Sequence, residues 1–194
     1  MPHIYTLSYQ QKHRGSILMD YRLGKGEGGN IFERMGLSTV VSFNSGHPYT
    51  SIRQPTNLGD STPWNIGVYP LTNPAVFYSR ITGEPNSSTT SSNFNLDFGL
   101  YKRFDVAGIG AELRLDVLNV FDTKHAINVY PQTGSATDDA WLRSPVAQSY
   151  LTIPNYVEFY KAINEQNRWA YSSVTGNDLF GAPRQIRFGV RLEL

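Results

Sequence analysis

Two stretches of this chain alternate apolar and polar side chains, and that alternation limits what the chain can fold into more than any other feature. From Ala111 to Asp122, Leu113, Leu115 and Val117 fall on one side and Glu112, Arg114 and Asp116 on the other. From Arg184 to Leu194, Ile186, Phe188, Val190, Leu192 and Leu194 oppose Gln185, Arg187, Gly189, Arg191 and Glu193. Successive Cβ atoms of a β-strand point to opposite faces, so a period of two is the mark of a strand with one greasy and one wet face. Three further stretches repeat it. His13–Leu23 sets Gly15, Ile17, Met19, Tyr21 and Leu23 against Arg14, Ser16, Asp20 and Arg22, with Leu18 the exception. Leu37, Thr39, Val41 and Phe43 oppose Ser38, Ser42 and Asn44, and Phe94, Leu96, Phe98 and Leu100 oppose Asn95, Asp97, Gly99 and Tyr101.

The connections between these strands alternate in length. Gly24–Gly29 (GKGEGG) is a glycine-rich turn that lacks the order and context of a phosphate-binding loop, and Asp105–Gly108 is a short turn. Pro48 cannot donate to a ladder, so regular pairing should end at Ser45–Pro48. Tyr49–Ser92 and Thr123–Ala182 then run on with no sustained period. Inside the second, Asn155 with Glu158 three residues on predicts a capping box and one short helix over Tyr156–Trp169. All short connections thus fall at one end of the strands and all long ones at the other. Outer-membrane barrels are built this way, whereas two long irregular connections are uncommon in a compact soluble domain.

Composition narrows the functional classes. Charged residues make up 17% and the net charge is +1, so the chain offers no electrostatic footprint for nucleic acid. It has no cysteine, which excludes disulfide frameworks and thiolate metal sites. No run approaches the roughly 20 apolar residues of a membrane helix, and the start of the chain has no signal-peptide core. Aromatics cluster at the strand ends, Tyr21 and Phe104 toward one rim and Phe43, Phe94 and Phe121 toward the other, as bilayer interfaces favour.

LRLDVLNVFDTKH (Leu113–His125) and the terminal GAPRQIRFGVRLEL (Gly181–Leu194) resemble the C-terminal barrel region of TonB-dependent outer-membrane receptors. HRGSILMDYRLGKGEG (His13–Gly28) and FNSGHPYT (Phe43–Thr50) resemble stretches slightly upstream in the same barrels. The resemblance implies an all-β fold: an antiparallel transmembrane β-barrel of about 22 strands, of which residues 1–194 supply about five or six, with long extracellular loops. It implies that the plug domain and signal peptide belong to sequence upstream. It further implies a receptor in the Gram-negative outer membrane for energised uptake of a scarce or bulky nutrient, such as a metal chelate or an oligosaccharide. The partners it implies are membrane lipid, the plug and remaining strands of the same polypeptide, TonB acting through the N-terminal part, and an extracellular small-molecule or glycan ligand, with no cofactor. Leu194 departs from the aromatic residue on which such barrels usually end.

No catalytic constellation stands out: His3, His13, His47 and His125 are separated by loops, and neither HExxH nor GxSxG occurs. Asp138-Asp139 reads as a solvated turn or helix start before it reads as an acid/base or metal pair. The expectation is therefore not an enzyme. Arg14, Arg22, Glu112, Arg114, Asp116, Arg187 and Arg191 form one charged face, which in a receptor barrel lines the lumen and meets the plug. Of the loop aromatics, which also include Tyr78, Tyr150 and Tyr171, Trp64, Tyr69, Trp141 and Trp169 are the candidate ligand contacts, set among Asn, Ser, Thr and Gly; most loop aromatics are expected to pack the loops on themselves. Two other classes give the same alternation: a complete small outer-membrane barrel, whether passive pore or enzyme, which needs about eight strands, and a soluble carbohydrate-binding β-sandwich.

Overall fold

The computed structural model describes residues 6–54, 56, 64–106 and 108–193. Its strands are β1 (Arg14–Arg22), β2 (Met35–Asn44), the two-residue β3 (Pro48–Tyr49) and β4 (Ser88–Thr89), β5 (Asn93–Val106), β6 (Ile109–Leu118) and β7 (Gln185–Glu193). Short helices α1 (Gly29–Phe32), α2 (Tyr69–Thr72), α3 (Pro74–Ser79), α4 (Tyr156–Tyr160) and α5 (Trp169–Thr175) occupy the connections, with a π-helical turn at Lys161–Gln166. Among the described residues no helix is long and apolar enough to cross a membrane. By contacts the chain divides into two compact units, residues 13–45, 92–125 and 182–194, and residues 1–12, 46–91 and 126–181.

The first unit is an antiparallel five-stranded sheet in the order β1-β2-β5-β6-β7. Its register carries the two faces from strand to strand, the exceptions being Leu18 and Val40 on the polar face and Lys102 on the apolar one, where its ammonium donates to the Ile31 and Glu33 carbonyls. Ile17 stands opposite Val41 and Val41 opposite Leu96, while Phe98 faces Val117 and Val117 faces Ile186. In the β5–β6 hairpin Phe104 faces Ala111, and opposed residues have an odd sum throughout, as the sequence pattern requires. Phe43 faces Phe94 at one end of the sheet, where Phe94 also lies 6.4 Å from Phe121. β7 pairs with β6 alone and β1 with β2 alone, so each outer strand carries one unpaired edge among the described residues.

At one end of the sheet the connections are short. The β5–β6 turn closes at Val106 opposite Ile109, with Gly108 at φ 85°, a tighter hairpin than Asp105–Gly108. In the β1–β2 turn, Gly26, Gly28 and Gly29 all take positive φ, which only glycine adopts without strain. Both long connections leave from the other end.

The strand expected to run to Asp122 ends at Leu118 instead. Asn119 and Asp122 take left-handed φ of 55° and 52°, a conformation that Asn and Asp tolerate best among non-glycine residues. Asn119 then acts as a staple. Its amide donates to the carbonyls of Thr123 and Ala182, its Oδ1 accepts from the Thr123 N–H, and its own N–H donates to Asp97. Asp122 in turn accepts the Arg184 N–H, fixing the entry to β7.

The second unit is the pair of long connections folded on each other. They are ordered around two buried clusters: Val68, Ala126, Tyr130, Ala136, Ala170, Tyr171 and Leu179, and Ile66, Trp141, Ala147, Tyr156 and Tyr160. The single helix expected over Tyr156–Trp169 is broken into α4, the π-turn and α5, and the capping box does not form. Asn155 sits at φ 60°, ψ 7°, outside the extended region an N-cap needs, and its side chain makes no cap bond.

Candidate functional site

The second unit holds a cleft of about 850 Å³ lined by Trp64, Phe159, Ile163, Asn167 and Trp169. Phe159, Ile163 and Asn167 are spaced four apart, so they share one face of the helical run from α4 through the π-turn. The π-turn has a physical cause. Widening the helix carries Asn164 into the interior, where its side-chain amide donates to the Trp64 carbonyl at 2.9 Å and its own carbonyl accepts from the Tyr130 hydroxyl at 3.0 Å. One buried residue thus ties the Trp64 strap to the helical wall.

The strap is pinned further along. Ile66 is wholly buried against Trp141 and Tyr160, and Gln132 donates to the Gly67 carbonyl at 2.8 Å. Gly67 has to be glycine, since a Cβ there would overlap the Asp139 carboxylate. Trp169 is set by Arg168, held left-handed at φ 53° at the start of α5. The Arg168 guanidinium bonds both Asp178 oxygens, at 2.5 and 2.9 Å, and the Gln166 carbonyl at 2.9 Å, and it lies over the Phe180 ring. These bonds hold the Asp178 carboxyl down at about 2.

Of the four candidate ligand aromatics, the structure brings Trp64 and Trp169 together at this cleft, both largely exposed. Trp141 lies instead at the centre of a core cluster, with no exposed surface, its indole N–H donating to the Tyr156 hydroxyl at 2.7 Å. A buried indole is a packing element, and Trp141 has no surface left to offer a ligand. Tyr69 is half-buried away from the cleft, its hydroxyl accepting from Asn73. Phe159, Ile163 and Asn167 are not among the ligand contacts expected from the sequence, where Ile163 counts only as an apolar position of the helix. The four-residue spacing inside the expected helix was the signal that could have found them.

Asp138 and Asp139 both serve the turn. Asp138 accepts the Ala140 N–H and pairs with Arg143, and Asp139 accepts the Trp141 N–H and the Tyr160 hydroxyl. Burial raises the Asp139 carboxyl above its ordinary range, against the opposing pull of those two donors. Burial also pushes the Tyr160 and Tyr130 hydroxyls up. Among the described residues no group of three or more His, Asp or Glu side chains is placed to hold a metal.

In the sheet, Arg14, Arg22, Glu112, Arg114, Asp116, Arg187 and Arg191 all share one face by register. Arg103, Glu112 and Arg191 stand in one row across β5, β6 and β7, with Arg103 and Glu112 2.5 Å apart. Arg22 pairs with Asp20 and Arg114 with Asp116 along their own strands. On this same face the Tyr101 ring covers Gly36, filling the space a side chain would take. Comparison of the chain with protein-family models, with curated proteins and with solved structures finds no match.

Proposed function

We propose that the five-stranded sheet is part of the wall of an outer-membrane β-barrel, and that the chain is the C-terminal part of a receptor resembling the TonB-dependent ones, which takes up a scarce nutrient using energy delivered from the periplasm. One observation carries the reading: among the described residues the sheet has a continuous apolar face that stays uncovered. Phe188, Val190 and Leu192 are 81%, 69% and 63% exposed, and Ile17, Met19 and Ile186 are more than half exposed. In a β-sandwich these would be the residues packed against a second sheet, and a soluble protein rarely leaves so large an apolar area in water. Hydrocarbon supplies the missing cover. The opposite face then lines the lumen, where its ion pairs meet water and the plug.

The position of the connections supports the same orientation, with the short turns periplasmic and the long, folded ones extracellular. The two unpaired edges, on β1 and β7, would be satisfied by the remaining strands, because a backbone polar group left unpaired in lipid costs several kcal/mol. The charged face and the plug would belong to one polypeptide, and the aromatic cleft would lie on the ligand's side of the membrane.

Uptake into cells carrying or lacking the whole receptor tests this, with a panel of labelled iron chelates, neutral oligosaccharides and neutral fused-ring compounds, before and after a protonophore. The expected result is uptake of one class that needs the receptor and stops when the proton gradient collapses. Receptor-dependent uptake that survives the protonophore would identify a passive pore instead.

A further inference from the structure

We propose that the cleft between Trp64 and Trp169 is a binding site for a neutral ring compound: a flat apolar body of roughly two or three fused rings carrying at most one or two polar groups. The argument begins with how charge is distributed around the helical run. Val157, Lys161 and Glu165 line a different cleft, together with Asp138 and Arg143. Phe159, Ile163 and Asn167 are displaced from these by two positions, which on a helix is the opposite face. Lys161 and Glu165 are therefore turned away from the aromatic cleft, and Glu158 is not among its lining residues.

The one cation next to the cleft in sequence, Arg168, is already committed. Asp178 takes both of its forks and the Gln166 carbonyl a third donor. An anionic chelate entering the cleft would leave water without meeting a counter-charge, a cost that a neutral ligand does not bear. The lining also has few groups to satisfy hydroxyls. Among the described residues Asn167 is its only polar lining residue, whereas each pyranose ring presents several hydroxyls that lose water on burial. Two indoles, a phenyl ring and a branched aliphatic side chain instead match the faces of a planar apolar body.

The site is built before a ligand arrives. Asn164 holds the backbone of Trp64, the buried Ile66 anchors the strap, and Arg168 sets the start of the helix that carries Trp169. A backbone fixed in this way loses little freedom on binding. Use of the cleft as an uptake site rests on the receptor reading above; binding itself does not depend on it.

The test is calorimetric titration of the whole receptor in lipid nanodiscs with three probes: 2-naphthol, its anionic counterpart naphthalene-2-sulfonate, and maltohexaose. 2-Naphthol should bind, and the sulfonate should bind at least about tenfold more weakly. Trp64→Ala and Trp169→Ala should each weaken 2-naphthol about tenfold, the loss expected when one stacked ring is removed. Tyr78→Ala removes an exposed aromatic that does not line the cleft and should leave binding unchanged, which separates the site from partitioning into lipid. Asn167→Lys, at an exposed rim position that folding tolerates, should shift the preference toward the sulfonate. Equal binding of both naphthalenes, tighter binding of maltohexaose, or indifference to both tryptophan substitutions would overturn the proposal. Binding as expected alongside protonophore-insensitive uptake would sink the receptor reading and leave the site standing.

Discussion

Phe98 and Asn95 lie on the same strand and on opposite faces, Phe98 opposite Thr39 and Val117, Asn95 opposite Ser42. If hydrocarbon covers the apolar face, Phe98→Arg places a guanidinium near the bilayer midplane and costs about 2–4 kcal/mol. Asn95→Arg places the same group among polar neighbours and costs much less. Urea unfolding of the whole barrel from lipid compares the two, and equal losses would argue against a lipid-facing row. In the second unit, Asp139 and Asp178 give opposite pH responses. Burial raises Asp139, so its protonated form favours the folded state: that contribution is full below the unfolded value of about 4 and fades as pH rises through the folded one. Arg168 lowers Asp178 to about 2, so its contribution is present above about 4 and fades as pH falls toward 2. Between pH 7 and 4 Asp139 changes together with Glu165, whose carboxyl is also raised by burial, and the unit should become more protease-resistant on acidification. Asp139→Asn should reduce that gain, Asp139→Asn with Glu165→Gln should abolish it, and both should leave Asp178's loss below pH 4 in place.

At the scale of elements, the strands were legible because burial on one face imposes a period of two that no local accident imitates for long. The same rule misled at Asn119–Asp122, where Val120 and Phe121 continue the apolar content after the ladder has ended. Only the left-handed backbone at Asn119 and its bonds across to Thr123 and Ala182 reveal the stop. Asn119→Ala should destabilise the sheet by about 2 kcal/mol, combining lost hydrogen bonds with left-handed strain, and Asn119→Gly by less, since glycine removes the strain alone. Urea midpoints of the two variants check this, and equal losses would mean that backbone strain contributes nothing there. The helix was half legible. Its start at Tyr156 follows from apolar spacing, but the π-turn exists to bury Asn164 beneath Trp64, a partner 100 residues away that no local window contains. For the same reason Trp64, Trp141 and Trp169 looked alike in sequence. One is core and two are surface because of where Ile66, Tyr156 and Arg168 hold the chain, and that is tertiary information.

For the whole molecule, the account turns on what covers the apolar face of the five strands. Residues 1–194 contain no cysteine, so single cysteines can be placed among them in a cysteine-free background of the proposed receptor and labelled with an environment-sensitive probe in bilayers. Positions Leu96, Phe98, Leu100, Leu113 and Leu115 share the apolar face, and Asn95, Arg103, Glu112 and Arg114 the charged one. The account predicts a strict alternation along β5 and β6: labels on the first set are quenched by a lipid-borne quencher and shielded from a water-soluble one, and labels on the second set show the reverse. Quenching of both sets by the water-soluble reagent, or shielding of the apolar set from both quenchers, would mean that water or protein, and not lipid, lies against that face, and would contradict the membrane-wall reading.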